Sequence, residues 1–141
     1  MAWSSIKAAV DAIQAEVAAI DGIKAAPSMP TEQMADWPYV TTYPSGIDEM
    51  KIGPYPLITT WWDVTVEIHW LRQKLPVDMA TALTTYPEAA LHKIAHAFIA
   101  GNALDKGVTA TFGGMEWGDK QTIGFQFKIK RLKIQTQVPS I

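Results

Sequence analysis

The sequence contains no cysteine. That absence removes a disulfide framework, a thiolate metal site and a cysteine nucleophile together, and it suits a reducing cytoplasm. Long hydrophobic runs are also missing. No apolar stretch approaches the roughly 20 residues needed to cross a bilayer, so no membrane partner is expected. The amino end does not read as a signal peptide, because Lys7, Asp11, Gln14 and Glu16 interrupt Ile6 to Ile20. There is no internal repeat and no low-complexity segment. Nor is there an excess of positive charge: 12 bases against 14 acids leave a net −2, without the overall basic footprint of a nucleic-acid binder.

The charges that are present are unevenly placed. All 14 acids lie at or before Asp119, so residues 1–119 carry a net −7 and residues 120–141 a net +5. Such segregation points to a charged face or to a contact between unlike patches. A length of 141 residues with 48% hydrophobic content fits one domain, 1–141, with an ordinary core.

Ser4 or Ser5 is suited to cap a helix in which Ile6, Val10, Ile13, Val17 and Ile20 recur at helical spacing, with Asp21-Gly22 as the stop. Between Pro27 and Pro56 lie six of the nine prolines, with Met29, Met34, Trp37, Tyr39 and Tyr43 among them. Long helices cannot cross this region. It reads as a short strand over Tyr39 to Tyr43, a turn at Pro44-Ser45-Gly46 and a projecting arm. Thr59 to Leu71, "TTWWDVTVEIHWL", alternates strictly. Trp62, Val64, Val66, Ile68 and Trp70 share one face, and Trp61, Asp63, Thr65, Glu67 and His69 share the other, expected to be wet. Asp78 to Thr84 suits a short turn or helix. Pro87 then suits the start of a second helix, whose apolar face is Leu91, Ile94, Ala95, Phe98 and Ile99 and whose end is Gly101-Asn102.

The remaining sequence predicts a hairpin, Val108 through Trp117, a turn at Gly118-Asp119, and Thr122 to Ile134. Phe125, Phe127 and Ile129 alternate, and the apolar phase then slips by one to Leu132 and Ile134. One extra residue near Lys130-Arg131 is most simply a β-bulge, or the point where the strand changes what it packs against. Together these elements predict an α+β domain: a mixed or mainly antiparallel sheet, two main helices packed on it and a projecting proline-rich arm.

The chemistry in the sequence is sparse. His92 and His96, four apart on a helix, are the natural pair for zinc, but the hydrolytic form needs a glutamate after the first histidine and a third ligand. Lys93 stands in the glutamate's place. Glu67 and Asp63 share a strand face and would have to be paired carboxylates to catalyse. Exposed acids are the ordinary reading. "TFGGMEWGDK" lacks phosphate-loop spacing, and its glycines suit a bulge facing Gly124. No catalytic residue, cofactor or metal is therefore expected.

Interaction surface is better supplied. Trp61 and Trp62 are adjacent and so point to opposite faces, leaving one indole free to anchor a contact. Trp37, Tyr43, Ile47, Met50 and Tyr55 in the arm are further candidates, covered either by another subunit or by intrachain packing under the arm. Lys128, Lys130 and Arg131 form either a solvated strand face or a contact with acids or phosphate.

The helix "SSIKAAVDAIQAEVAAI", a projecting segment, the strand "WWDVTVEIHW", a second helix and the closing strand "IGFQFKIKRLKI" resemble, in order and texture, the tail terminator proteins of long-tailed phages. The resemblance implies a non-enzymatic structural virion protein at the head-tail junction, assembled in the host cytoplasm. It implies a homohexameric ring that caps the tail tube, ends its polymerisation and contacts a head-tail connector protein, with DNA passing through the ring unread. Another connector or tail-completion protein, a metal-dependent enzyme using His92 and His96, and a small-ligand binding domain are the alternatives.

Overall fold

A computed structural model describes residues 3, 5–20, 39–54, 56–71, 79–101, 107–117 and 120–137. The elements run α1 (Ile6–Ala18), β1 (Tyr39–Ile52), β2 (Leu57–Leu71), α2 (Met79–Gly101), β3 (Val108–Trp117) and β4 (Lys120–Gln137). The four strands form one antiparallel sheet in the order β1-β2-β4-β3. The fold is α+β.

Both helices lie on one side of the sheet. Ser5 caps α1, its Oγ accepting from the amide of Ala8 at 3.1 Å. Val10, Ile13 and Val17 are buried, as the helical spacing predicts. Burying a side chain such as Ile13 fully is worth roughly 1.5–3 kcal/mol. Against them pack Val64, Val66, Ile68 and Trp70 of β2 and Phe125, Phe127, Ile129, Leu132 and Ile134 of β4. Gln14 is buried too. Its amide donates to the Val40 carbonyl at 3.1 Å and its oxygen accepts from the Thr42 hydroxyl at 2.7 Å, tying α1 to β1.

Helix α2 differs from its sequence reading. It runs unbroken through Pro87, eight residues inside its start, rather than beginning there. Proline cannot donate to the Leu83 carbonyl, one turn back, so the helix carries that cost in its interior. The buried face is Ala90, Ile94 and Ala97, with Leu91 40% exposed. The small alanines bring α2 close to the core, where Tyr86 meets Trp70 edge-on at 5.2 Å between centroids. Phe98 and Ile99 have side chains outside the description, and the stop at Asp21-Gly22 and the turn at Gly118-Asp119 also lie outside the described residues.

Strand β1 corrects the expected turn at Pro44-Ser45-Gly46. The strand continues to Ile52, with one extra residue at Ser45 and another at Asp48. Pro44 is tolerated because β1 is an edge strand. Of the predicted arm, residues 27–38 and Tyr55 lie outside the described residues, and the rest is the β1–β2 hairpin. The bulge expected at Lys130-Arg131 is present: Trp62 faces Leu132 while Val64 faces Ile129, and Arg131 has φ 60°. The bulge expected at Gly113-Gly114 is absent, since β3 and β4 pair without a slip.

Gly124 marks the tightest approach in the sheet. A Cβ there would lie 1.8 Å from the Ile68 carbonyl oxygen. Gly124→Ala must push β2 and β4 apart. Chemical denaturation should show a loss of at least about 2 kcal/mol, toward the upper range for overpacking a core; an unchanged midpoint would refute this close contact.

Candidate functional site

The β1–β2 hairpin extends past the part of the sheet that the helices cover. Ile47 pairs with Trp62, Met50 with Thr60 and Ile52 with Ile58, and directly opposed residues share a face. Ile47 and Met50 are each 58% exposed and Ile52 is 75% exposed, so three large apolar side chains stand together on the helix side of the hairpin end. Contiguous exposed apolar surface of this kind is characteristic of contact sites.

The opposite face of the same end is polar and locked. The Arg131 guanidinium binds Asp48 through Nη1 and Glu49 through Nη2, the latter at 3.1 Å, and lies 5.2 Å from the centroid of Trp61. Lys51 Nζ approaches the same ring at 5.6 Å. Asp63 receives the Arg131 amide at Oδ1 and Lys130 Nζ at Oδ2, both at 3.3 Å. The left-handed backbone at Arg131 is uncommon for a non-glycine residue and is held by these partners.

The sequence candidates thus separate. Ile47 and Met50 join Ile52, which sequence reasoning did not single out, on one face. Trp61 and Arg131 lie on the other, with Lys130 at their flank. Lys128, opposite Thr65, is exposed and stands apart from them. The charges of Lys130 and Arg131 meet acids of their own chain. Trp37 and Tyr55 lie outside the described residues.

Tyr43 belongs to a different structure. Its hydroxyl donates to Glu67 Oε2 at 2.8 Å, where Gln126 Nε2 also donates at 2.7 Å. Glu67 Oε1 lies 2.8 Å from His69 Nε2, and His69 Nδ1 lies 2.8 Å from Thr122 Oγ1. The strand face expected to be wet is buried here: Glu67 is 7% exposed and His69 0%. Burial alone would raise the Glu67 carboxyl, but the bonds from His69, Gln126 and Tyr43 outweigh it and hold the group below its ordinary range. Burial and the bond to Glu67 push the Tyr43 phenol up. The network is closed on itself and fastens three strands.

The histidine pair is split between different partners. His96 Nδ1 lies 2.8 Å from Glu16 of α1, and His92 Nε2 lies 4.0 Å from Glu88. Both rings are mostly exposed rather than half buried beside the apolar face. Among the described residues, no three histidine, aspartate or glutamate side chains gather as a metal site would require. No family model matches this sequence, and no curated protein matches it.

Two expectations follow. Because Glu67 is held low, its stabilisation is full above the unfolded carboxylate value of about 4.3 and is lost as pH falls through the folded value. Glu67→Gln should therefore cost roughly 1–3 kcal/mol at pH 7, with the gap to wild type closing in denaturation series taken below pH 4; a gap independent of pH would refute the ionised network. At the bulge, Arg131→Ala loses the acid contacts and keeps the unfavourable backbone, whereas Arg131→Gly loses the contacts and relieves the backbone. Thermal melts should place the glycine variant several degrees above the alanine variant, and the reverse order would show that the left-handed conformation is not retained.

Proposed function

We propose that this chain is a structural virion protein, a tail terminator. Copies of it would form a homohexameric ring that caps the tail tube, ends its polymerisation and joins the tail to the head connector. The observation that carries the reading is the exposed trio Ile47, Met50 and Ile52 at the end of a hairpin. Water-exposed isoleucine and methionine gain free energy when a neighbour covers them. A head-to-tail contact covers them with a different patch of the next copy, and such contacts close into a ring when the rotation between copies divides the circle evenly.

The element order helix, two strands, helix, two strands supports the same reading through its resemblance to the terminator proteins. The rigid base of the hairpin, fixed by Arg131 on Asp48 and Glu49, supports it as well, since an ordered surface loses less entropy on binding. With Lys130 and Arg131 engaged inside the chain, Lys128 is the member of the basic trio offered to a neighbour's acids. No catalytic step, cofactor or metal enters this mechanism. The tube protein and the connector are its partners, and DNA passes the ring without sequence recognition.

Growing tail tubes of the same virion, imaged by electron microscopy with and without the purified chain, provide the test. Added wild-type chain should halt elongation and appear as a cap at one tube end. Ile47→Asp combined with Met50→Asp should abolish capping while the subunit's melting temperature stays within a few degrees of wild type, because both side chains are exposed. Tubes that lengthen equally with wild-type chain would overturn the terminator reading.

A further inference from the structure

The helices cover one face of the sheet and leave the other without them. On that second face, directly opposed residues form rows across the strands. From the hairpin end inward come Lys51-Thr59-Gln135, then Glu49-Trp61-Lys133, and further in Thr65-Lys128-Thr109. Lys130 and Arg131, in the bulge, lie between the last two, level with Asp63. Strand β4 therefore sets Lys133, Lys130 and Lys128 in successive rows, about 6.6 Å apart along a strand.

The charges here do not cancel. The exposed or half-buried carboxylates Asp48, Glu49 and Asp63 are held by Arg131 and Lys130, and Glu67, further in, is buried under its own three partners. Lys128 and Lys133 meet no acid among the described residues. With Lys51, five cations share the outer part of this face with three carboxylates, in a chain whose net charge is −2. Protection of a sheet edge does not account for Lys128, because β4 is flanked there by both β2 and β3.

The groups on offer select the partner. Trp61 is occupied by the Arg131 guanidinium and Lys51, and Tyr43 by Glu67. The exposed large apolar side chains among the described residues lie on the helix side of the sheet or on α2, so a protein partner finds no anchor to bury here. Beside the lysines are hydroxyls and amides, Thr109, Thr111, Gln126 and Gln135, the side-chain types that contact phosphate and sugar. Ammonium groups strung over successive rows suit a linear polyanion, whereas a single small anion needs donors that converge.

We infer that the helix-free face of β4 binds the phosphate backbone of nucleic acid, so that the acids Lys128 meets are phosphates. The inference rests on the terminator reading only for the presence of DNA. The contact is blind to base sequence, because it reaches phosphate rather than base edges, and it weakens with salt through counterion release.

Fluorescence anisotropy with short labelled DNA duplexes of two unrelated sequences tests this over a salt series. Wild-type chain should bind both duplexes equally at low salt. Lys128→Glu combined with Lys133→Glu should weaken binding at least about tenfold at low salt and make the slope of log affinity against log salt shallower by about two, with the melting temperature within a few degrees of wild type. Lys7→Glu combined with Lys93→Glu makes the same change of net charge on the two helices and should cost far less. No binding at low salt, an equal loss in the helix variant, or displacement of the duplex by poly-glutamate as readily as by unlabelled DNA overturns the inference, the last by giving the face to an acidic protein. The same differences are expected in the Ile47→Asp, Met50→Asp background, where the ring contact is removed, so failure of tail capping and failure of this inference are told apart.

Discussion

Asp63 sits where the sheet has to change step. The two extra residues of β1 and the extra residue of β4 all fall opposite Trp61 to Val64, so β2 runs straight between neighbours that are both bulged. Side chains alternate with a period of two, and a single inserted residue exchanges the faces of everything beyond it. Without the insertion at Arg131, Leu132 and Ile134 would leave the core and Lys133 would enter it. The aspartate holds that insertion from below, through the Arg131 amide and Lys130, and the carboxylates of Asp48 and Glu49 hold it from the side. The helix-packed half and the exposed hairpin end can therefore share one continuous sheet.

Beyond this point β2 is buried on both faces, Val64 to Trp70, by different chemistry. The helix side is apolar and filled by the branched and aromatic residues of β2 and β4. The other side is closed by hydrogen bonds converging on Glu67. A buried carboxylate with three partners fixes register more sharply than apolar packing, since a slip of β1 or β4 would strand the charge. The glycine approach at Gly124 makes the same demand of the backbone. A stiff sheet of this kind is a suitable base for a projecting hairpin.

Local signals in the sequence carried far. The spacing of Val10, Ile13 and Val17, the alternation from Val64 to Trp70 and the slip after Ile129 each report a single element's own periodicity, and each corresponds to the structure. The errors arose where tertiary context decides. Pro44 looks like part of a turn and Pro87 like a helix start, yet an edge strand and the interior of a helix accommodate them. Glu67 and His69 look wet because their partners Tyr43, Gln126 and Thr122 come from other strands. Of the candidate interface, Ile47, Met50, Trp61 and the basic trio were legible as unusual residues. Their division between two faces was not, because it depends on how many bulges precede each of them.

In the proposed assembly, the bulged, latched base presents the exposed Ile47, Met50 and Ile52 to another copy. Native mass spectrometry of the untagged chain over a range of concentrations tests that most directly. Six copies of the 15.5 kDa chain, about 93 kDa, is the predicted species. A spectrum containing only the 15.5 kDa chain at every concentration would contradict it.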